Sequence, residues 1–148
     1  MHYLKQDIGY WISRFAAEVR NEFERKLAAH GITGPQWCIL LSLNSKSAGS
    51  MTELAAYIGV DKATISRTVE RLVKMQLVQR TPGHNRRSES LILTAQGEQL
   101  IPKLIACANH NEQEFFSCLS SQEKEDLQKI WKTLVSNLKH MEIEGWLK

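Results

Sequence analysis

A mainly α-helical chain with one small β-hairpin is the fold that three features predict. Apolar residues recur at helical spacing over most of the 148 residues. Between Ser50 and Gly97, two short helical patterns joined by Gly59-Val60-Asp61 precede two strand-like runs around a loop carrying Arg86 and Arg87. Long helical patterns flank that stretch on both sides. Two helices joined by a tight turn and followed by a basic hairpin read as a winged helix-turn-helix. That shape lays one helix in a DNA groove with the hairpin beside it.

The bulk properties fit one compact domain, or one subunit of an intimate dimer. Hydrophobic residues make up 43% of the chain, enough for a core, which argues against wholesale disorder. No apolar run approaches the roughly 18 residues of a membrane span, so no membrane partner is expected. The N-terminus lacks the basic and apolar regions of a signal peptide, and the expected location is the cytoplasm. Cys38, Cys107 and Cys118 are odd in number and widely spaced, which argues against a disulfide framework. The net charge of +3 is unevenly spread. Residues 61–90 hold seven Lys/Arg against three acids, whereas residues 110–148 hold five Lys against seven acids. A basic middle and a mildly acidic end suggest that only the middle meets a polyanion.

The first helix is predicted over Leu4 to His30, where Leu4, Ile8, Trp11, Ile12, Phe15, Val19, Phe23 and Leu27 form a stripe. At 1.5 Å per residue it is about 40 Å long and outreaches a small core, so part of its stripe must pack on another element or chain. Gly31 stands where a C-cap is expected. A second, buried helix follows Thr33 and Pro35, carries Trp37, Leu40, Leu41 and Leu43, and ends near Asn44. Ser50 and Glu53 have capping-box spacing and start the third helix, which Gly59 ends. Asp61 caps the fourth, expected to run to about Gln76 with Ile65, Val69 and Leu72 inward. Its other face carries Ala63, Arg67, Glu70, Arg71 and Lys74, with Thr64 and Ser66 at the edges. Leu77 to Thr81 and Ser90 to Leu93 read as paired strands around the turn-rich Pro82-Gly83-His84-Asn85-Arg86-Arg87-Ser88. Thr94 caps a fifth helix, interrupted by Pro102 and continuing to about Cys118. Ser120 and Glu123 cap a sixth that runs through Met141, and Ile143, Trp146 and Leu147 are expected to be covered.

Several motifs together carry a resemblance. They are Ile32-Thr33-Gly34-Pro35-Gln36-Trp37-Cys38-Ile39-Leu40, the helix from Asp61 to Arg71, Asn85-Arg86-Arg87, and Leu93-Thr94-Ala95-Gln96-Gly97. In this order they resemble the MarR family of bacterial transcription regulators over almost the whole length. The resemblance implies a winged helix-turn-helix lobe over 33–96 and a helical dimerisation region over 1–32 and 97–148, built from the first and last two helices. It implies a homodimer on a near-palindromic operator in double-stranded DNA, with repression lifted by a small aromatic or phenolic ligand. Thr64, Ser66 and Arg67 match the groove-reading part of the recognition helix, and Arg87 matches the wing arginine that enters the minor groove. Lys62, Arg71, Arg80 and Arg86 are the expected phosphate contacts. Asn85 departs from the family's usual wing aspartate, and an amide orients an arginine more weakly than a carboxylate does.

The effector reading has fewer residues behind it. By the same resemblance, Trp11 and Trp37 would line a ligand pocket and Arg14 would receive a carboxylate, although aromatics at helical spacing also serve as ordinary core. Two other readings stay open: regulation by thiol oxidation, and an effector-independent architectural or anti-silencing DNA binder. The peroxide-sensing branch of the family keeps its reactive cysteine in the first helix, where this chain has none, and Cys38 falls in the expected buried helix. Cys107, His110 and Glu114 share a helix edge but lack a second ligand pair, so neither metal nor other cofactor is expected. No P-loop, G-x-S-x-G, Rossmann or H-E-x-x-H motif suggests an enzyme.

Overall fold

The computed structural model describes residues 6–83 and 89–138. Asn85, Arg86, Arg87 and the apolar Ile143, Trp146 and Leu147 lie outside the described residues. Among the described residues, six helices and a hairpin follow in the predicted order: α1 (Ile8–Ala28), α2 (Gly34–Asn44), α3 (Met51–Ile58), α4 (Lys62–Lys74), β1 (Val78–Pro82), β2 (Glu89–Leu93), α5 (Ala95–Phe116) and α6 (Ser121–Leu138).

Local chemistry sets most boundaries. The Asp7 carboxylate accepts from the Tyr10 N–H at 3.0 Å and starts α1 at Ile8, later than the apolar stripe suggested. Thr33 with Gln36, and Ser50 with Glu53, form complete capping boxes on α2 and α3. Ser120 and Glu123 exchange the same pair of bonds ahead of α6. Gly59 closes α3 at φ 78°. The fourth helix stops at Lys74 rather than Gln76, because Gln76 turns the chain into β1 at φ 61°. α5 continues through Pro102, which leaves the Glu98 carbonyl without its usual helical donor.

One core joins the end of α1 to α2, α3, α4, the hairpin and the first half of α5. Leu27, Ile39, Leu40, Leu54, Val69, Leu72, Val78 and Leu104 are fully or almost fully buried in it. The hairpin is antiparallel, with Val78 opposite Leu93 and Arg80 opposite Leu91. Leu91 N–H also donates to Gly49 C=O at 2.7 Å, fastening the wing to the loop before α3. At the other end of the hairpin, Thr94 N–H bonds Leu77 C=O at 3.1 Å, and its hydroxyl donates to Gln76 C=O at 2.6 Å. Gly97 is buried against that junction, where a Cβ would overlap the Leu77 carbonyl oxygen.

The rest of the molecule is thinner. The first half of α1 leaves Ile8, Trp11, Ile12 and Phe15 exposed, and α6 leaves Leu127, Ile130, Trp131 and Leu134 exposed. The four on α1 belong to the stripe that the length of the first helix predicted would need another surface. Phe15 stacks edge-on against Phe115 and Phe116 of α5. Deeper along the α1–α5 contact, buried Asn111 donates to Val19 C=O at 3.1 Å and accepts from Lys26 Nζ at 3.2 Å. Lys26 also reaches Glu22 at 2.9 Å and Glu114 at 2.6 Å. Desolvation opposes its charge, but the Glu114 and Glu22 hydrogen bonds outweigh it and its pKa is raised. No helix among the described residues is long and apolar enough to cross a membrane.

Candidate nucleic-acid interface

The outward face of α4 is the strongest candidate surface. Ile65, Val69 and Leu72 anchor the helix in the core, as its periodicity predicts. Lys62, Ala63, Arg67, Glu70, Arg71 and Lys74 are exposed, while Thr64 and Ser66 are half-buried at the edges. Small hydroxyl residues therefore occupy the first turn and longer cations follow. That order suits base edges first and phosphates farther along.

The first turn is also wired together. The Asp61 carboxylate accepts from Thr64 N–H at 2.9 Å and from the Thr64 hydroxyl at 2.5 Å. Arg67 Nη2 lies 3.4 Å from the same hydroxyl oxygen. The Thr64 side-chain and backbone bonds hold the Asp61 pKa below the usual carboxylate value. Sequence reading identified Asp61 only as a cap. The three-residue spacing to a threonine was the signal for its second bond.

Arg80 stands on β1 and is exposed, with Nε 3.5 Å from the Glu89 carboxylate across the hairpin. A surface pair of this kind contributes little and is easily exchanged for a phosphate. Arg86 and Arg87 lie outside the described residues.

The three expected ligand residues are not brought together within this subunit. Trp37 packs edge-on against Phe23 at 5.9 Å, and Trp11 packs edge-on against Tyr10 at 5.3 Å. Phe23 and Trp11 are about 18 Å apart along α1 at 1.5 Å per residue. Arg14 is exposed, one turn from Trp11, and donates to the Tyr10 hydroxyl at 3.2 Å, a bond that raises its pKa. Cys38, expected to be buried, is exposed on α2, because Ile39, Leu40 and Leu43 take the inner face of that helix. Crowding around its sulfur, then the nearby Glu24 charge, still push the thiol pKa up, which disfavours the reactive thiolate.

A half-open cleft of about 280 Å³ was not anticipated. It lies between the turn after α1 (His30), the link from α4 to β1 (Met75, Leu77), and the first turns of α5 (Gln96, Gln99, Leu100, Lys103). Its walls come from the ends of separate elements, so no single periodic pattern in the sequence points to it. Among the described residues no three His, Cys, Asp or Glu side chains gather as a metal site. Glu114, on the helix edge considered for a metal, is paired with Lys26.

Residues 30–88, which include α2, α3, α4 and β1, match the model of the MarR family. The transcriptional repressor MprA of Escherichia coli K12 is 28% identical over 124 residues, covering 82% of this chain and 70% of that protein. Over that segment the chain is similar to the MarR family of transcription regulators. Its fold is shared with MarR-family structures of lower identity. A mutant MarR from E. coli complexed with operator DNA superposes with a TM-score of 0.78 at 22% identity, over 86% of this chain and 92% of that one. CouR from Rhodococcus jostii RHA1, bound to p-coumaroyl-CoA, gives a TM-score of 0.79 at 21% identity, over 90% and 95%. The fold is thus the mainly helical arrangement with a two-stranded wing that the sequence predicts.

Proposed function

We propose that the chain is a cytoplasmic, homodimeric, sequence-specific DNA-binding repressor that a small aromatic ligand releases from its operator. The observation that carries this reading is the outer face of α4, where Thr64 and Ser66 precede a run of exposed cations beside a two-stranded wing. In the complex, Thr64, Ser66 and Arg67 meet base edges, and Lys62, Arg71, Arg80 and Arg86 meet phosphates. Arg87 enters the minor groove. The exposed apolar residues of α1 and of α6 support dimerisation, since side chains such as Ile8, Ile130 and Trp131, each at 50% exposure or more, are costly to leave in water. A two-fold dimer would set the two recognition helices about one helical turn apart on a near-palindrome.

The repressor role follows the relative MprA. The ligand follows CouR, whose structure holds p-coumaroyl-CoA. Two places could receive such a molecule. One is the cleft at His30, Leu100 and Lys103. The other is the surface at Trp11, Arg14 and Trp37, which a second subunit would have to complete.

Fluorescence anisotropy against the chain's own promoter DNA and against random duplex, over a range of salt, tests the DNA reading. Four phosphate contacts per subunit imply a slope of log K on log salt of about −7 for the dimer. A flat salt response, or equal affinity for random duplex, would refute the proposal.

A further inference from the structure

The hydrogen bonds of the first turn of α4 have a direction, and that direction limits what Thr64 can read. Thr64 Oγ1 lies 2.5 Å from Asp61 Oδ2. An ionised carboxylate can only accept, so the hydroxyl must be the donor. Arg67 Nη2, 3.4 Å from Oγ1, also donates to it. The hydroxyl proton is therefore used inside the protein, and what remains on Oγ1 is lone-pair density. A threonine without such a partner could serve a base edge as donor or acceptor.

We infer that Asp61 is a positioning residue for base recognition: by taking the Thr64 hydroxyl proton, it makes Thr64 an acceptor that selects adenine or cytosine over guanine or thymine. In the major groove adenine and cytosine present amino donors, whereas guanine and thymine present acceptor oxygens at the matching edge. An acceptor facing those oxygens gains no bond and is repelled. The selectivity rests on the reading of Thr64 as a groove residue given above. It adds the polarity of the contact and the residue that sets it.

Asp61→Asn separates the two roles of Asp61. Asparagine is as good an N-cap as aspartate, so the helix start is kept through the Thr64 N–H bond. Its amide nitrogen, facing Oγ1, donates to the hydroxyl and frees the hydroxyl proton for a base. The contact then prefers the oxygens of guanine or thymine.

Selection from a random duplex library with the full chain, followed by sequencing, tests this for the parent, Asp61→Asn, Thr64→Val and Thr64→Ser. In the parent pool, one position per half-site should carry adenine or cytosine over guanine and thymine by about tenfold, the low end for a base contact. Thr64→Ser should retain that preference and Thr64→Val should flatten it. Asp61→Asn should reverse it at that position and leave the other positions unchanged. A Thr64→Val or Asp61→Asn pool identical to the parent's overturns the inference while leaving sequence-specific binding intact. Changes spread over many positions in Asp61→Asn overturn it too, because they report a displaced helix. A parent pool with no enriched sequence refutes the proposed function, and the inference with it.

Discussion

Gly97→Ala is the substitution whose cost can be worked most directly from the structure. Gly97 lies in the first turn of α5, donating its N–H to the Thr94 hydroxyl at 3.0 Å. A methyl group there would overlap the Leu77 carbonyl oxygen and lie 3.2 Å from the Leu77 carbonyl carbon. The obstacle is backbone, so no side-chain rotation relieves it. α5 and the start of β1 must separate by roughly an ångström, which strains the Thr94–Leu77 and Thr94–Gln76 bonds. Forcing one methylene-sized group into a tight contact costs about 1–3 kcal/mol. A weakened hydrogen bond adds about 1 kcal/mol, and the better helix propensity of alanine returns about the same. The net loss of about 1–3 kcal/mol corresponds to a Tm drop of roughly 2–10 °C for a chain of this size. Thermal unfolding followed by circular dichroism at fixed protein concentration measures it. Gly59→Ala is the comparison: Gly59 has φ 78° and no atom near its would-be Cβ, so it should lose only the left-handed conformational cost of about 1–2 kcal/mol. A Gly97→Ala protein melting at or above the parent would refute the close-approach argument.

Two further outcomes are expected. Ile130→Asp, at a residue 57% exposed on α6, should convert a dimer to monomers in sedimentation velocity while the winged helix keeps its helix content; a parent that already sediments as a monomer would refute the dimer. Glu22 and Asp61 both have pKa values lowered on folding, Glu22 chiefly by its hydrogen bond from Lys26 and Asp61 chiefly by Thr64. Their contribution is therefore complete above the unfolded carboxylate pKa of about 4 and is lost as pH falls through the lower folded values. The urea midpoint should fall with acidification below about pH 5, less steeply in Asp61→Asn than in the parent, and equal slopes would count against the Asp61 bonds.

The order of elements was legible because caps and periodicity are local. Thr33, Ser50, Asp61 and Thr94 all start the helices that their spacing predicts, and Ile65, Val69 and Leu72 are buried as the 3.6-residue period requires. What the sequence left unread comes from meetings of distant segments. The cleft draws on three separate regions, and its Lys103 and His30 have no local pattern to mark them. The family resemblance pairs Trp11 with Trp37 at a ligand pocket, yet α1 holds Trp11 near its start while Trp37 reaches Phe23. Cys38 was misjudged because α2 is apolar all round, so its inner face could not be picked from composition. At the interface, exposure could be read from the helical wheel, but the direction of the Thr64 hydroxyl required atomic positions.

The Thr94 junction has a mechanical consequence. Thr94 fastens the exit of α4 to the entry of α5 with its N–H and its hydroxyl, and α5 then runs 22 residues, about 33 Å. A rod of that length tilting by about 6° about its far end carries its near end through about 3.4 Å, which is one base-pair step along DNA. In the proposed dimer, a change at the stem far too small to disturb the core would throw the recognition helix out of register by a whole base pair. The sensitivity of such a regulator would then come from leverage, and its ligand need do no more than lean on the long arm.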